Sequence, residues 1–191
     1  MNNKYFALRH GQSKPNVLGI VLSSLDDGKK EEYTLTKEGE KQVEFSAKKA
    51  KESEVLGSDT IIYSSPFSRT KRTAEIAKEV LGVNSDIIFD ERLRERWFGD
   101  WEKTDHSAYK KVWADDEKDP EHKEKNVEST KEVLDRTMAL IKDSEGKYKN
   151  KNILLVSHGD AIKIMETGFK KISPGLHKGL SIHTAEIREL K

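Results

Sequence analysis

The chain has 191 residues, 34% of them hydrophobic and 36% charged, with a formal net charge of +1 and no cysteine. That length suits a single domain with a sizeable core; the charge balance removes any strong expectation of nucleic-acid or membrane-surface binding, and the lack of cysteine excludes disulfides and thiolate metal sites. No targeting segment or run of membrane-spanning length appears, so a cytoplasmic protein is expected.

Tyr5-Phe6-Ala7-Leu8 is an apolar run of buried-strand length, and it ends in Arg9-His10-Gly11-Gln12-Ser13. An Arg-His-Gly there puts charge where a strand leaves a core, with a glycine that lets the backbone turn and approach a ligand. Lys14 to Tyr33 shows no apolar periodicity and contains Pro15, Gly19 and Asp26-Asp27-Gly28, which reads as a long loop leaving directly from this strand end. Thr36 is an N-cap candidate for a helix to about Ser53, with Val43, Ala47 and Ala50 on one face.

Ile61-Ile62-Tyr63 predicts a short strand, followed by Ser64-Ser65-Pro66 and a helix burying Ile76, Ala77, Val80 and Leu81 and closed by Gly82. Arg69 falls in the first turn of that helix, where free amides and the dipole favour an anion; an exposed arginine opening a helix is the plain alternative. Asp86 to Phe89 reads as another strand. After it, Arg92 to Glu102 interleaves three arginines with acids and two tryptophans. The near-zero net charge argues against a nucleic-acid patch there, and the aromatics argue against a fully solvated ion-pair segment.

Lys103 to Lys125 is charged, with Tyr109 and Trp113 one helical turn apart, so a short helix is expected to lay both on one surface as a cap over the site. A charged insertion without fixed structure is the alternative for Ala114 to Lys125. Ser129-x-x-Glu132 is a capping box opening a helix whose Leu134, Met138 and Ile141 share a face and which ends before Gly146. Ile153 to Val156 is a second apolar strand, ending in Ser157-His158-Gly159, and a helix from Asp160 through Phe169 follows. Pro174-Gly175 breaks the chain, and Ile182 to Leu190 reads as a last strand. Strands alternating with helices imply an α/β fold with a mostly parallel sheet covered on both faces.

Two strands ending in His-Gly point to one site. His10 beside Arg9, with Arg69 at a helix start and His158 at another strand end, makes a cationic pocket suited to a phosphoryl dianion. A neutral imidazole attacks phosphorus, and nearby guanidiniums lower the pKa of His10 and neutralise the transition state. The leaving alkoxide needs a proton donor, Glu95 or Glu102, and Glu95 is favoured because it follows a strand end. A zinc hydrolase built on His10 and His158 competes weakly, since no His-x-x-x-His spacing occurs and Arg9 repels a cation. A phosphate-binding module without turnover needs the same arginines but no acid.

With these residues assembled, the chain resembles the histidine phosphatase superfamily, the phosphoglycerate-mutase-like proteins. The resemblance rests on Leu8-Arg9-His10-Gly11-Gln12-Ser13 with Asn16, Leu35-Thr36-x-x-Gly39-x-x-Gln42, Ser64-Ser65-Pro66-x-x-Arg69-Thr70, Glu95-x-x-Phe98-Gly99-Asp100-Trp101-Glu102 and Val156-Ser157-His158-Gly159. It implies a three-layer α/β/α sandwich over residues 1–191 with a small cap insertion at about 102–128, a phosphohistidine at His10, and neither metal nor cofactor. It implies Arg9, Arg69, Glu95 and His158 as the remaining catalytic set, with Gly11, Gln12, Ser13, Asn16 and Gly159 binding substrate. Gln12 replaces the acid of many mutases, Lys103 stands where many members have glycine, and Val127-Glu128-Ser129 replaces a common Gly-Glu-Ser. The cap is short for a mutase, so a phosphomonoesterase of a small phosphorylated metabolite is expected, with a phosphoglycerate mutase as runner-up. The only partner expected is that substrate, without nucleic acid or membrane, and nothing in the sequence speaks to oligomeric state. His106, His122, His177 and His183 read as surface or structural residues.

Overall fold

The computed structural model describes all 191 residues. Its strands are β1 (Lys4–Arg9), β2 (Ile61–Ser64), β3 (Ile88–Phe89), β4 (Asn152–Ser157) and β5 (Ile187–Glu189), joined in one sheet of order β3-β2-β4-β1-β5. The first four are parallel, and β5 runs antiparallel to β1.

Successive strand residues point to opposite faces, and β1 shows what each face meets. Tyr5 and Ala7, with Ile153 and Leu155 of β4, pack against α6 (Thr130–Lys147) and α7 (Gly159–Lys170) through Leu140, Ile141, Ile162 and Met165. Phe6 and Leu8, with Leu154 and Val156, pack against α3 (Lys37–Glu52) and α4 (Ser68–Leu81) through Ala50, Ala74, Ala77 and Leu81. The result is a sheet between two helical layers. No helix is long and apolar enough to cross a membrane.

The local signals for the long helices hold. Thr36 Oγ1 accepts from the Gly39 amide 3.0 Å away, and Ser129 and Glu132 form the reciprocal capping box. Gly82 closes α4 in the left-handed conformation at φ 73°. The helix α6 continues through Gly146 to Lys147 instead of stopping before the glycine; a single helical glycine costs only about 1 kcal/mol relative to alanine.

Other boundaries differ from expectation. Lys14 to Tyr33 is not an irregular loop, because it holds α1 (Lys14–Leu18), α2 (Leu25–Gly28) and a 3₁₀ turn at Glu31–Tyr33. These are fixed by caps and not by an apolar stripe: Asn16 Oδ1 accepts from the Ser13 amide at 3.1 Å, Gly19 ends α1 at φ 68°, and Ser24 Oγ accepts from the Asp27 amide at 3.1 Å. The last strand shrinks to Ile187–Glu189, since Ala185 adopts φ 57° and a turn folds the Glu186 amide onto the His183 carbonyl. The strand expected over Asp86 to Phe89 keeps only Ile88 and Phe89.

One backbone contact positions the site loop. A Cβ on Gly39 would stand 2.0 Å from the Gln12 carbonyl oxygen, and one on Gly11 would stand 2.3 Å from the Gly39 carbonyl oxygen. The loop after β1 therefore lies directly on the first turn of α3. Because Gly39 is helical, propensity alone predicts that Gly39→Ala stabilises the protein by about 1 kcal/mol. The clash reverses the sign, and we expect a loss of about 1–3 kcal/mol in a urea melt with displacement of the His10 loop; a stabilised Gly39→Ala protein would contradict this packing.

Candidate active site

The parallel register aligns Arg9 with Ser157, so the carboxyl ends of β1 and β4 deliver His10 and His158 to the same edge of the sheet. The His10 amide donates to the Ser157 carbonyl at 3.1 Å, and the Ser65 amide beyond β2 donates to the Val156 carbonyl at 3.0 Å. Ligand sites in open α/β sheets lie outside these strand ends. A cavity of about 310 Å³ opens there.

His10 is 3% exposed, and its Nδ1 lies 2.8 Å from the Gly11 carbonyl oxygen. In the neutral ring that contact makes Nδ1 the donor and leaves the lone pair on Nε2. Arg69 Nε approaches that Nε2 at 3.3 Å and His158 Nδ1 at 3.2 Å, while Arg69 Nη2 donates to the Leu22 carbonyl at 2.9 Å. On the other side His158 Nε2 meets Ser65 Oγ at 2.9 Å. The two imidazoles lie edge to face with centroids 5.3 Å apart.

Burial foremost, then the guanidiniums of Arg69 and Arg9, holds His10 well below the usual imidazole pKa. Desolvation, which the residue pattern does not reveal, thus outweighs the guanidiniums that it does. His158 is lowered for the same leading reason, with Arg69 next. Two donor nitrogens in this cationic corner have no protein acceptor, Arg9 Nε and Arg69 Nη1. Buried donors without partners are costly, so they mark where an anion would be received.

Glu95 lines the cavity at 7% exposure, just after the 3₁₀ turn Glu91–Leu93. Its Oε1 accepts from the amides of Arg96 and Ala161 at 3.0 and 3.3 Å, which leaves Oε2 for the pocket. Burial first, and then the neighbouring Asp160 carboxylate, raises Glu95 above the usual carboxyl range against the pull of Arg69. Glu102 is elsewhere: it accepts from the Ser23 and Ser24 amides and the Ser23 hydroxyl at 2.6–3.1 Å, anchoring the start of α2.

Of the remaining expected residues, Arg9, Ser13, Asn16 and Gly159 line the cavity. Gly11 and Gln12 do not. Gly11 is pressed against the Gly39 backbone, while the Gln12 amide donates to Gln42 and its side chain accepts from Thr36 at 2.8 Å, tying the loop to α3. His158 also lies off the cavity wall, fully buried behind Arg69. Sequence reasoning missed Asp160, Lys163 and the segment Lys178 to Ile182. Lys163 left a trace as a cation inside the apolar run Ala161 to Met165. The C-terminal segment left none, because Arg9 Nη1 recruits it through the Ile182 carbonyl at 2.8 Å, a contact 173 residues apart in sequence. No three His, Asp or Glu side chains are grouped so as to hold a metal ion.

The charged stretch is ordered as α5 (Ala108–Lys118), not an unstructured insertion as far as Lys118. Tyr109 and Trp113 stack with centroids 5.7 Å apart and both line the cavity. Trp113 Nε1 donates to Asp160 Oδ2 at 2.8 Å, tying α5 to α7. Beneath them Arg96 is fully buried and makes a two-pronged ion pair with Asp116, both contacts 2.6 Å.

Comparison with known proteins agrees with this geometry. Residues 5–191 match the profile of the histidine phosphatase superfamily (branch 1). The chain is 31% identical over 169 residues to "Uncharacterized phosphatase PhoE" of Bacillus subtilis, covering 88% of this chain and 78% of that one. It is 34% identical over 164 residues to "Probable phosphoglycerate mutase GpmB" of Escherichia coli, covering 82% and 70%. The fold superposes on Entamoeba histolytica phosphoserine phosphatase, solved with phosphoserine, with a TM-score of 0.77 at 24% identity, covering 98% of this chain and 89% of that one.

The Arg96–Asp116 pair gives a stability prediction. Asp116→Ala leaves a fully buried guanidinium without its partner, which costs about 3–5 kcal/mol. A loss under about 1 kcal/mol in a denaturant melt would show that water reaches Arg96.

Proposed function

The chain belongs to the histidine phosphatase superfamily, branch 1, and on that premise we propose that it is a metal-independent phosphomonoesterase that hydrolyses a small phosphorylated metabolite through a phosphohistidine at His10. The observation that carries this reading is the fixed orientation of His10. Nδ1 is held by the Gly11 carbonyl, Nε2 carries the lone pair toward the Arg69 Nε hydrogen at 3.3 Å, and unpartnered N–H groups of Arg9 and Arg69 belong to the same corner.

In the first step the His10 Nε2 lone pair attacks phosphorus in line, an N–P bond forms and the ester O–P bond breaks. Arg9 and Arg69 neutralise the equatorial oxygens. The departing alkoxide takes the proton from Glu95 Oε2. In the second step the Glu95 carboxylate accepts a proton from water, the hydroxyl attacks phosphorus, and His10 leaves with its lone pair restored. His158 acts as a positioning residue, since its Nδ1 aims the Arg69 Nε hydrogen while Ser65 holds the ring from behind.

The opposite pKa shifts support the acid assignment. At ordinary values near 6.5 for histidine and 4.5 for glutamate, no pH gives both a neutral nucleophile and a protonated acid in high yield. Lowering His10 and raising Glu95 opens that window. Phosphatase is favoured over phosphoglycerate mutase because the chain from Glu102 to Ser129 is a short enclosure for reorienting a doubly phosphorylated intermediate, although the Escherichia coli relative carries a mutase name.

Release of nitrophenol from p-nitrophenyl phosphate in EDTA is expected between about pH 5 and 8, and none across that range would overturn the reading. Phosphoryl transfer between the two positions of phosphoglycerate, faster than hydrolysis, would favour the mutase. Glu95→Gln separates catalysis from mere binding. Phosphorylation by alkyl esters should slow about 10²- to 10⁴-fold, whereas p-nitrophenyl phosphate, with its weakly basic leaving group, should lose far less in the same burst. For alkyl esters kcat/KM should fall at low pH as His10 gains a proton and at high pH as Glu95 loses one; the high-pH fall should vanish in Glu95→Gln. Equal losses on both ester classes would remove Glu95 from the donor role.

A further inference from the structure

Arg69 places a single hydrogen between two imidazoles. Its Nε carries one N–H, and that hydrogen faces His158 Nδ1 at 3.2 Å and His10 Nε2 at 3.3 Å. A guanidinium donates and never accepts, so both ring nitrogens meet it with lone pairs. Burial, with Arg69 next, keeps both rings neutral, and each therefore carries its one hydrogen on the other nitrogen. In His10 that hydrogen is on Nδ1, which donates to the Gly11 carbonyl at 2.8 Å. In His158 it is on Nε2, and the group that receives it is Ser65 Oγ at 2.9 Å. The two rings are held in opposite tautomers.

Ser65, between β2 and α4, is built to stay where it is. It is fully buried; its amide donates to the Val156 carbonyl at 3.0 Å, and its carbonyl accepts from Ser64 Oγ and Thr70 Oγ1 at 2.9 and 3.0 Å. The Phe67 amide donates to Ser65 Oγ at 3.4 Å. The Phe67 ring stands edge to face with His158 at 4.9 Å and lies under the Arg69 guanidinium at 4.9 Å, which packs both against rotation. His10 needs its Nε2 lone pair for attack, and a hydrogen aimed at that pair opposes it. With a hydrogen on His158 Nδ1, two N–H groups would face each other and the Arg69 hydrogen would fall wholly on His10 Nε2. With the hydrogen on Nε2, His158 Nδ1 takes its share of the Arg69 hydrogen.

Resting on the phosphatase reading above, we propose that Ser65 is a positioning residue for the phosphorylation step. By accepting the His158 Nε2 hydrogen it fixes the tautomer that draws the Arg69 Nε hydrogen off the His10 lone pair and frees that pair for phosphorus. Ser65 does not line the cavity, so it acts through His158 and Arg69. Arg69 Nη1 and Arg9 Nε, which have no protein acceptor, remain for the phosphoryl oxygens whatever the tautomer. Ser65 therefore bears on the rate of attack and not on affinity for the anion. Without its hydroxyl the His158 Nε2 hydrogen becomes a buried donor with no partner, and the ring escapes that cost by moving the hydrogen to Nδ1.

Long-range nitrogen–proton correlation spectra of the full chain, isotope-labelled in its histidines, report at neutral pH which ring nitrogen carries the hydrogen. Nδ1–H for His10 and Nε2–H for His158 are expected, each signal identified by its loss in His10→Ala or His158→Ala. Ser65→Ala, which removes one buried oxygen and adds no volume, should move His158 to the Nδ1–H form. It should slow the nitrophenol burst from p-nitrophenyl phosphate about ten- to hundredfold, the range for one hydrogen bond to a charged group. The Kd for inorganic phosphate, read by calorimetry, should change less than about threefold. Ser65→Thr keeps the hydroxyl and should keep both the tautomer and most of the burst rate. His158 as Nδ1–H in the unaltered protein, or an unslowed burst in Ser65→Ala, overturns the proposal and leaves the phosphatase standing. Equal losses of burst rate and phosphate affinity would mark general damage and overturn it too. Opposite tautomers that Ser65→Ala switches, in a protein that hydrolyses no ester, support the hold of Ser65 on His158 and overturn the phosphatase.

Discussion

The site depends on a guanidinium buried without an anion. Arg69 is 3% exposed, and its polar contacts are two imidazole nitrogens and one carbonyl oxygen, with Nη1 meeting nothing. A buried charge is costly unless paired, so the fold holds an unsatisfied demand for negative charge at the ends of β1, β2 and β4. The same cation excludes a second one: an imidazolium at 3.2–3.3 Å from it would be strongly repelled. Arg69 thus creates a demand for an anion and, behind burial as the larger cause, helps keep His10 unprotonated.

The rest of the architecture serves that arrangement. Parallel pairing in register brings Arg9-His10 and Ser157-His158 side by side. The glycine-to-glycine contact of the His10 loop with α3 fixes where the ring sits, and Gly11 supplies the carbonyl that chooses its tautomer. On the opposite wall, Asp160 and burial act together on Glu95 while Lys163 keeps Asp160 charged. Glu95 and His10 are thereby shifted in opposite directions, the carboxyl up and the imidazole down, by burial and by different neighbours.

Much of this was legible in the sequence because strand ends, caps and their chemistry are local. The runs Tyr5 to Leu8 and Ile153 to Val156, the N-cap at Thr36 and the box at Ser129 each state their role within a few residues. The place of Arg69 in a first helical turn and of Glu95 past a strand end could be read from the sequence, and both side chains line the cavity, Arg69 buried and not the exposed arginine of the plain alternative. What stayed hidden depends on partners far away in the chain. The helices α1 and α2 are too short to show a period and are set by Ser13, Asn16, Gly19 and Ser24. Gln12 reads as a substrate contact until α3 is seen to claim it. Arg96 reads as one of three alternating arginines, and only folding shows that Asp116, twenty residues on, takes it into the core. Lys178 and Ile182 join the site through contacts that have no sequence spacing at all.

The central claim is that His10 carries the phosphoryl group, and trapping the intermediate tests it most directly. The chain is mixed with p-nitrophenyl phosphate in EDTA, quenched within the burst under alkaline conditions and mapped by peptide mass spectrometry. An acid-labile, alkali-stable phosphoryl group on the peptide containing His10, absent from His10→Ala, is the predicted result. Label on His158 instead, or hydrolysis with full burst and no label on His10, would contradict it.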